Sequence, residues 1–281
     1  MISNEEQLHV SQLPQAVHDE VSERLKHFTV GITRVNCHDQ REGSEFVGSG
    51  TLAIVNAMPC ILTADHVLAE LQTCDKVGLI SDFDGGLRRI AFGRTHLQVK
   101  RLARGSVDAD GPDLGAIVLP EANIGALKAA KSFYNVDQRI ARFASNYIDV
   151  GRGMWFNFGV IAEGSRVLPS EGQFVEVTGH WGMCGVSACP TVSHREGLEY
   201  LESRVPYAEP KPDIPHSFGG ISGGGFWQVL LRRDANGVIH AGESILSGIT
   251  FYQTGIEANV RRLRSHGRDA IYELIPRLLK E

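Results

Sequence analysis

The chain reads as an all-β protein of two barrels framed by terminal helices, and three features of its 281 residues carry that reading. Short segments rich in Val, Ile and Thr recur between clusters of Gly, Asp and Asn, the pattern of strands joined by turns. They fall into two groups separated by a more helical stretch around residues 121–150. The 31 glycines suit many tight turns and close backbone approaches.

Taken in order, Ala16, Val17, Val21 and Leu25 recur at roughly helical spacing among charges, which predicts an amphipathic helix over 13–27. Strands are expected at 28–35, 46–55, 60–64, 77–80 and 114–119, then at 155–162, 174–178, 225–231 and 244–252. Segments 256–263 and 268–280 return to helical spacing. The stretch 193–217 holds Pro206, Pro210, Pro212 and Pro215 and is expected to be an irregular excursion. The resulting organisation is a helical extension over 1–27, a first barrel over 28–125, a connector over 126–150, a second barrel over 151–255 and a closing helix over 256–281.

Composition excludes several classes. Twenty-eight basic against 33 acidic residues leave a net charge of −5, which argues against a nucleic-acid binder. With 42% apolar and 22% charged residues the chain can bury a sizeable core and is not disordered. No apolar run has the length of a membrane span and no secretory leader is recognised, so the expectation is a protein of the cytoplasm that engages no membrane. The five cysteines, at 37, 60, 74, 184 and 189, are scattered and odd in number, and reduced thiols fit better than a disulfide framework.

The most informative stretch is Ser217-Phe218-Gly219-Gly220-Ile221-Ser222-Gly223-Gly224-Gly225, in which Ser222 sits among five glycines. A nucleophilic serine needs backbone that turns sharply and presents N–H groups to a developing oxyanion, and glycine permits both. Upstream, Thr63-Ala64-Asp65-His66 places an imidazole just after a short apolar strand. Asp113 stands at the mouth of another, Leu114-Gly115-Ala116-Ile117-Val118, behind Gly111 and Pro112. Asp108 and Asp110 compete for its role, but neither directly precedes such a strand.

In this order and with these local contexts, His66, Asp113 and Ser222 closely resemble the trypsin-like, chymotrypsin-fold serine peptidases, in the disulfide-free intracellular form of bacterial type. That family carries its histidine in T-A-x-H, its aspartate in D-[IL]-x-hydrophobic and its serine in G-x-S-G-G. The resemblance implies a double six-stranded β-barrel and a serine endopeptidase acting on protein or peptide through an acyl-enzyme, with no cofactor and no metal. Ser222 would attack, His66 would act as general base, Asp113 would orient the imidazole, and the backbone N–H groups of Gly220 and Ser222 would form the oxyanion hole. It further implies a specificity pocket with His216 at its floor and Thr250, Phe251 and Tyr252 along its lining strand. Val67 and Phe218 stand where secreted relatives have disulfide cysteines, and Ile221 where zymogens have an aspartate. Control by propeptide cleavage is therefore not expected: the enzyme is expected either to be active as made or to be controlled by a regulatory protein partner, through the N-terminal helix or the loop 193–217.

Other signals carry less weight. His180, Cys184, Cys189 and His194 have a spacing that could bracket zinc, but small or apolar neighbours favour a strand that separates them. Gly220-Ile221-Ser222-Gly223-Gly224 also fits a nucleophile elbow, with His240 or His266 downstream as the base, in too few residues for that fold. Arg261, Arg262, Arg264 and Arg268 read as a solvated helix face, as do Glu5, Glu6, Asp19, Glu20 and Glu23. The competing functions are a catalytically inactive peptide-binding module and an effector subunit of a regulated bacterial stress or defence system.

Overall fold

The structure is a computed structural model that describes residues 13–38, 41–81, 89–103, 111–121, 124–145, 149–169, 175–186, 189–206 and 215–281. Asp108 and Asp110 lie outside the described residues, as do Pro210 and Pro212.

The all-β expectation holds, with two antiparallel sheets and helices at both ends. Helix α1 (Gln15–Lys26) leads into β1 (Thr29–His38), β2 (Arg41–Val55), β3 (Met58–Thr63), the short α2 (Asp65–Glu70), β4 (Lys76–Ile80), β5 (Arg89–Gly93), β6 (Gln98–Ala103) and β7 (Leu114–Val118). After α3 (Gly125–Ala130), β8 (Tyr134–Asn135) and α4 (Asp137–Ser145) come β9 (Met154–Pro169), β10 (Val175–Val186), β11 (Thr191–Arg195), β12 (Leu198–Pro206), β13 (Gly225–Arg233), β14 (Ile239–Gln253) and β15 (Val260–His266). A π-helical turn (Ala270–Leu274) and α5 (Ile275–Leu278) close the chain. The first sheet runs β5-β4-β1-β2-β3-β7-β6 with β8 added in parallel on β2, and the second runs β10-β9-β13-β14-β15-β12-β11. Among the described residues the two sheets have eight and seven strands, against the six apiece that the resemblance implies.

Helix α1 forms because Val17, Val21 and Leu25 fall on one face and are buried, while Glu20 and Arg24 pair one turn apart on the other. Arg24 and Lys26 lie in the last turn, where the helix dipole favours cations. Helix α1 shares a core cluster with Phe156, Trp227 and Leu246 of the second sheet, Ala53 and Leu62 of the first, and Ile271 and Ile275 near the chain end. Tyr134 and Tyr272 join hydroxyls at 3.0 Å inside that core, and the Tyr272 hydroxyl donates to the Leu246 carbonyl.

Two expectations are corrected. Residues 260–266 form a strand and not a helix: Tyr200 pairs with His266 and Glu202 with Arg264 across β12. Arg262 and Arg264, two residues apart on one face, both reach Glu202, which follows the strand period of two. Arg268, expected on a solvated surface, is buried and donates to Ser247 Oγ and Gln228 Oε1. The excursion at 193–217 begins as a β11–β12 hairpin, turned by Glu196 (φ 52°) and Gly197 (φ 78°). Positive φ at both central positions is the geometry that right-twisted hairpins favour.

The sheets meet at Ser49 of β2. Its Oγ donates to the Gly220 carbonyl at 2.7 Å and accepts the Val160 N–H at 2.8 Å, and its N–H donates to the Ser222 carbonyl at 2.8 Å. We predict that Ser49→Ala, which leaves two of these buried groups unpaired, costs about 2–4 kcal/mol of stability. Urea unfolding at neutral pH checks this, against a surface control such as Val238→Thr.

Candidate active site

The glycines around Ser222 are dictated by space as well as by dihedral angle. Gly223 has φ +90°, and a Cβ there would lie 1.9 Å from the Ser49 carbonyl oxygen. Gly220 has φ +91°, and a Cβ there would lie 2.3 Å from the Phe46 ring. Any side chain at either position would push the serine loop off β2.

The backbone of that loop is tied down at almost every residue. Ser217 Oγ accepts the Gly219 N–H at 3.1 Å, Phe218 O accepts the Ile221 N–H at 3.0 Å, Thr250 O accepts the Gly223 N–H at 2.7 Å and Ile221 O accepts the Gly224 N–H at 2.7 Å. Among the described residues, the N–H groups of Gly220 and Ser222 have no acceptor. The Gly219 carbonyl is drawn to the Ala162 N–H at 2.7 Å, which turns the 219–220 peptide so that the Gly220 N–H points the opposite way. Two free donors, one on Ser222 itself and one two residues before it, are what an oxyanion site requires.

His66 sits in the first turn of α2, immediately beyond β3. Asp113 is buried and grips it twice: its Oδ1 accepts the His66 N–H at 2.9 Å, and its Oδ2 lies 2.5 Å from His66 Nδ1. Beside an ionised carboxylate Nδ1 carries the proton, so Nε2 is the basic nitrogen. The neighbouring Asp65 is equally buried but committed elsewhere, in a two-pronged pair with Arg101. The acid that faces the histidine is therefore Asp113.

A Cβ on Gly48 would touch Val67 Cγ2 at 2.6 Å and the Ser222 carbonyl oxygen at 3.1 Å, which sets the residue after His66 beside the serine. The serine hydroxyl itself donates to the Phe251 carbonyl at 3.3 Å, and no hydrogen bond joins it to His66. The expected base-to-nucleophile contact is thus not made in this state, although the three residues share one neighbourhood.

His266 is a site residue that sequence reasoning missed in this role. Its Nε2 accepts the Asp113 N–H at 2.9 Å, and its ring stacks on Phe251 at 4.5 Å, so it props both the acid and the strand that holds the serine hydroxyl. Burial lowers its pKa to about 4, against the smaller opposing effect of Asp113. Neutral, with Nε2 accepting, it carries its proton on Nδ1, a buried atom without a partner. His240, the other downstream histidine, lies by Asp234 at 3.3 Å and is only partly buried.

The expected pocket residues are placed differently from one another. His216 is exposed, its N–H and that of Ser217 held by Glu163 and its carbonyl by Arg261. Those two backbone N–H groups hold the Glu163 carboxyl below the usual carboxylate range. Thr250 is fully buried, with Oγ1 bonded to Asn157 and Ser265, and the Phe251 ring packs against Tyr200 and His266. The side chains of Thr250 and Phe251 therefore serve the interior, and their backbone serves the serine loop: the Thr250 N–H donates to the Gly224 carbonyl at 2.9 Å, and the Thr250 and Phe251 carbonyls accept from Gly223 and Ser222. Tyr252 is half-buried against the first-sheet core. Of the zinc-like spacing, the side chains of His180 and Cys184 lie outside what is described, Cys189 is exposed and His194 faces Asp269.

No protein-family model matches the chain, and no curated protein sequence does. In structure the chain is similar to that reported as the crystal structure of the serine endoprotease from Yersinia pestis, at 12% identity and a TM-score of 0.45, over 94% of this chain and 67% of that one. Among the described residues no helix is long and apolar enough to cross a membrane.

The buried neutral His266 has a consequence for stability. The unfolded chain takes up a proton near the ordinary histidine value of 6.5, whereas the folded protein resists until about 4. Stability should therefore fall as pH drops through that window, by up to about 3 kcal/mol from this group. Urea unfolding across pH 7 to 4 should give a shallower fall for His266→Phe than for the unaltered chain. The variant should also be less stable at pH 7, since the Asp113 N–H loses its acceptor.

Proposed function

We propose that the protein is a serine hydrolase that cleaves peptide bonds through His66, Asp113 and Ser222. The observation that carries this reading is the pair of unengaged N–H groups at Gly220 and Ser222, next to a histidine whose Nδ1 is held by a buried carboxylate. In the proposed reaction the Ser222 hydroxyl leaves the Phe251 carbonyl and gives its proton to His66 Nε2 as its oxygen attacks the acyl carbon. The oxyanion is received by the two free N–H groups. The imidazolium returns the proton to the leaving amine, and water then repeats the sequence on the acyl-enzyme. Asp113 holds the imidazole in the required tautomer and stabilises its charged form, while His266 positions Asp113 from behind.

A protein or peptide substrate follows from the resemblance of the three motifs to trypsin-like peptidases. Cys60, Cys74 and Cys189 are free thiols, which suits a reducing compartment such as the cytoplasm. Control by a protein partner fits a nucleophile that rests on a carbonyl and not on its base.

That resting contact also favours a second reading, a catalytically silent module that binds peptides in the same cleft. A fluorophosphonate probe separates the two. Covalent labelling of the unaltered chain and its loss in Ser222→Ala support the hydrolase, whereas an unlabelled protein that still binds peptide supports the silent module. If the enzyme is active on a peptide library, Asp113→Asn should lower kcat on the order of 10⁴-fold, by leaving the wrong nitrogen of His66 protonated.

A further inference from the structure

We propose that His194, Glu199 and Asp269 form a zinc site that joins the β11–β12 hairpin to the segment entering the C-terminal helix. It lies apart from the serine and does not depend on the reaction proposed for it. One nitrogen and two carboxylate oxygens from these residues lie within 4.8 Å of one another. Donors at two corners of a tetrahedral zinc ion stand about 3.3 Å apart, so the three atoms must close by up to about 1.5 Å to reach bonding distance.

Glu199 supplies the observation that three clustered side chains alone would not. It is 1% exposed, and its Oε1 is a buried oxygen with no hydrogen-bond partner. Burial and the neighbouring Asp269 charge push the Glu199 carboxyl up, against the Arg268 charge and the Asp269 backbone N–H, and a cation shared by the two carboxylates offsets both costs. The fold also makes room for this side chain: a Cβ on Gly267 would lie 2.7 Å from its Cδ, and the Gly267 N–H donates to the Glu199 carbonyl at 2.8 Å. His194 Nε2 and Asp269 Oδ2 stand 3.9 Å apart, too far for a hydrogen bond between them and suited to an ion between them. Their side chains are 65% and 43% exposed, so both can swing inward while Glu199 stays fixed.

An imidazole with two carboxylates is a nitrogen-and-oxygen donor set that suits zinc, with water in the open, solvent-facing position. Three ligands from two neighbouring strands and from the chain beyond β15 would make the ion a cross-link. Tyr200, next to Glu199, packs on His266 and Phe251, so the cross-link would also brace the wall behind Asp113. The resemblance to trypsin-like peptidases implies no metal, and of the zinc-like spacing His180, Cys184, Cys189 and His194 this site uses only His194.

The test is isothermal titration of ZnCl₂ into the full chain after dialysis against a chelator, with thermal unfolding measured in parallel. We expect one ion per chain, a higher Tm with zinc, and at least a tenfold loss of affinity in both His194→Ala and Asp269→Asn, whose exposed positions leave the fold intact. Glu199→Gln should bind zinc weakly and, unlike the unaltered chain, show no zinc-dependent rise in Tm. Absence of stoichiometric binding would overturn the proposal. So would binding that is unchanged in the His194 and Asp269 variants, or a preference for Ca²⁺ over Zn²⁺ in competition.

Discussion

Ser49 is the hinge on which the arrangement around Ser222 depends. A hydroxyl can donate and accept at once, and here it does both across the boundary between two sheets, to Gly220 O and from Val160 N–H. Its carbonyl oxygen accepts from Thr63 Oγ1 at 2.8 Å, so β2 and β3 of the first sheet act together on the serine loop of the second. Thr51 Oγ1 adds a bond to the Gly223 carbonyl at 3.1 Å. Such contacts are net-stabilising by only about 1 kcal/mol each, yet expensive to leave unmade when buried. That asymmetry fixes the loop in one place.

Behind this clamp lies a polar relay in apolar surroundings. Asp113 bonds His66 on one side and His266 on the other, and His266 stacks on the residue whose carbonyl holds the serine hydroxyl. Tyr200 and Phe251 keep water from the buried side, and the low local polarity strengthens each hydrogen bond while penalising any that breaks. The result is a carboxylate held from two sides and an imidazole whose orientation it fixes. The Ser222 hydroxyl, by contrast, has a longer contact to a carbonyl.

The helices contribute by closing the core between the sheets. Val17, Val21 and Leu25 from one terminus and Ile271 and Ile275 from the other meet around Trp227. The site is thereby built on two sheets that share one packed interior.

Much of this was legible in the primary order because the signals are local. Strand composition, the apolar stripe of α1, the glycines that make room around Ser222 and the placement of His66 after β3 depend on near neighbours and on backbone sterics. The arginines at 261, 262 and 264 misled because three charges in four residues fit a helix face and a strand equally, and only pairing with β12 chooses between them. What only the tertiary structure decided is which partner each buried polar group takes: Asp113 for His66 with Asp65 given to Arg101, His266 behind Asp113, Ser49 beneath Gly220, and Glu199 with an oxygen unanswered. Those choices join residues tens to hundreds of positions apart, and their energies arise from desolvation, which no local stretch of chain encodes.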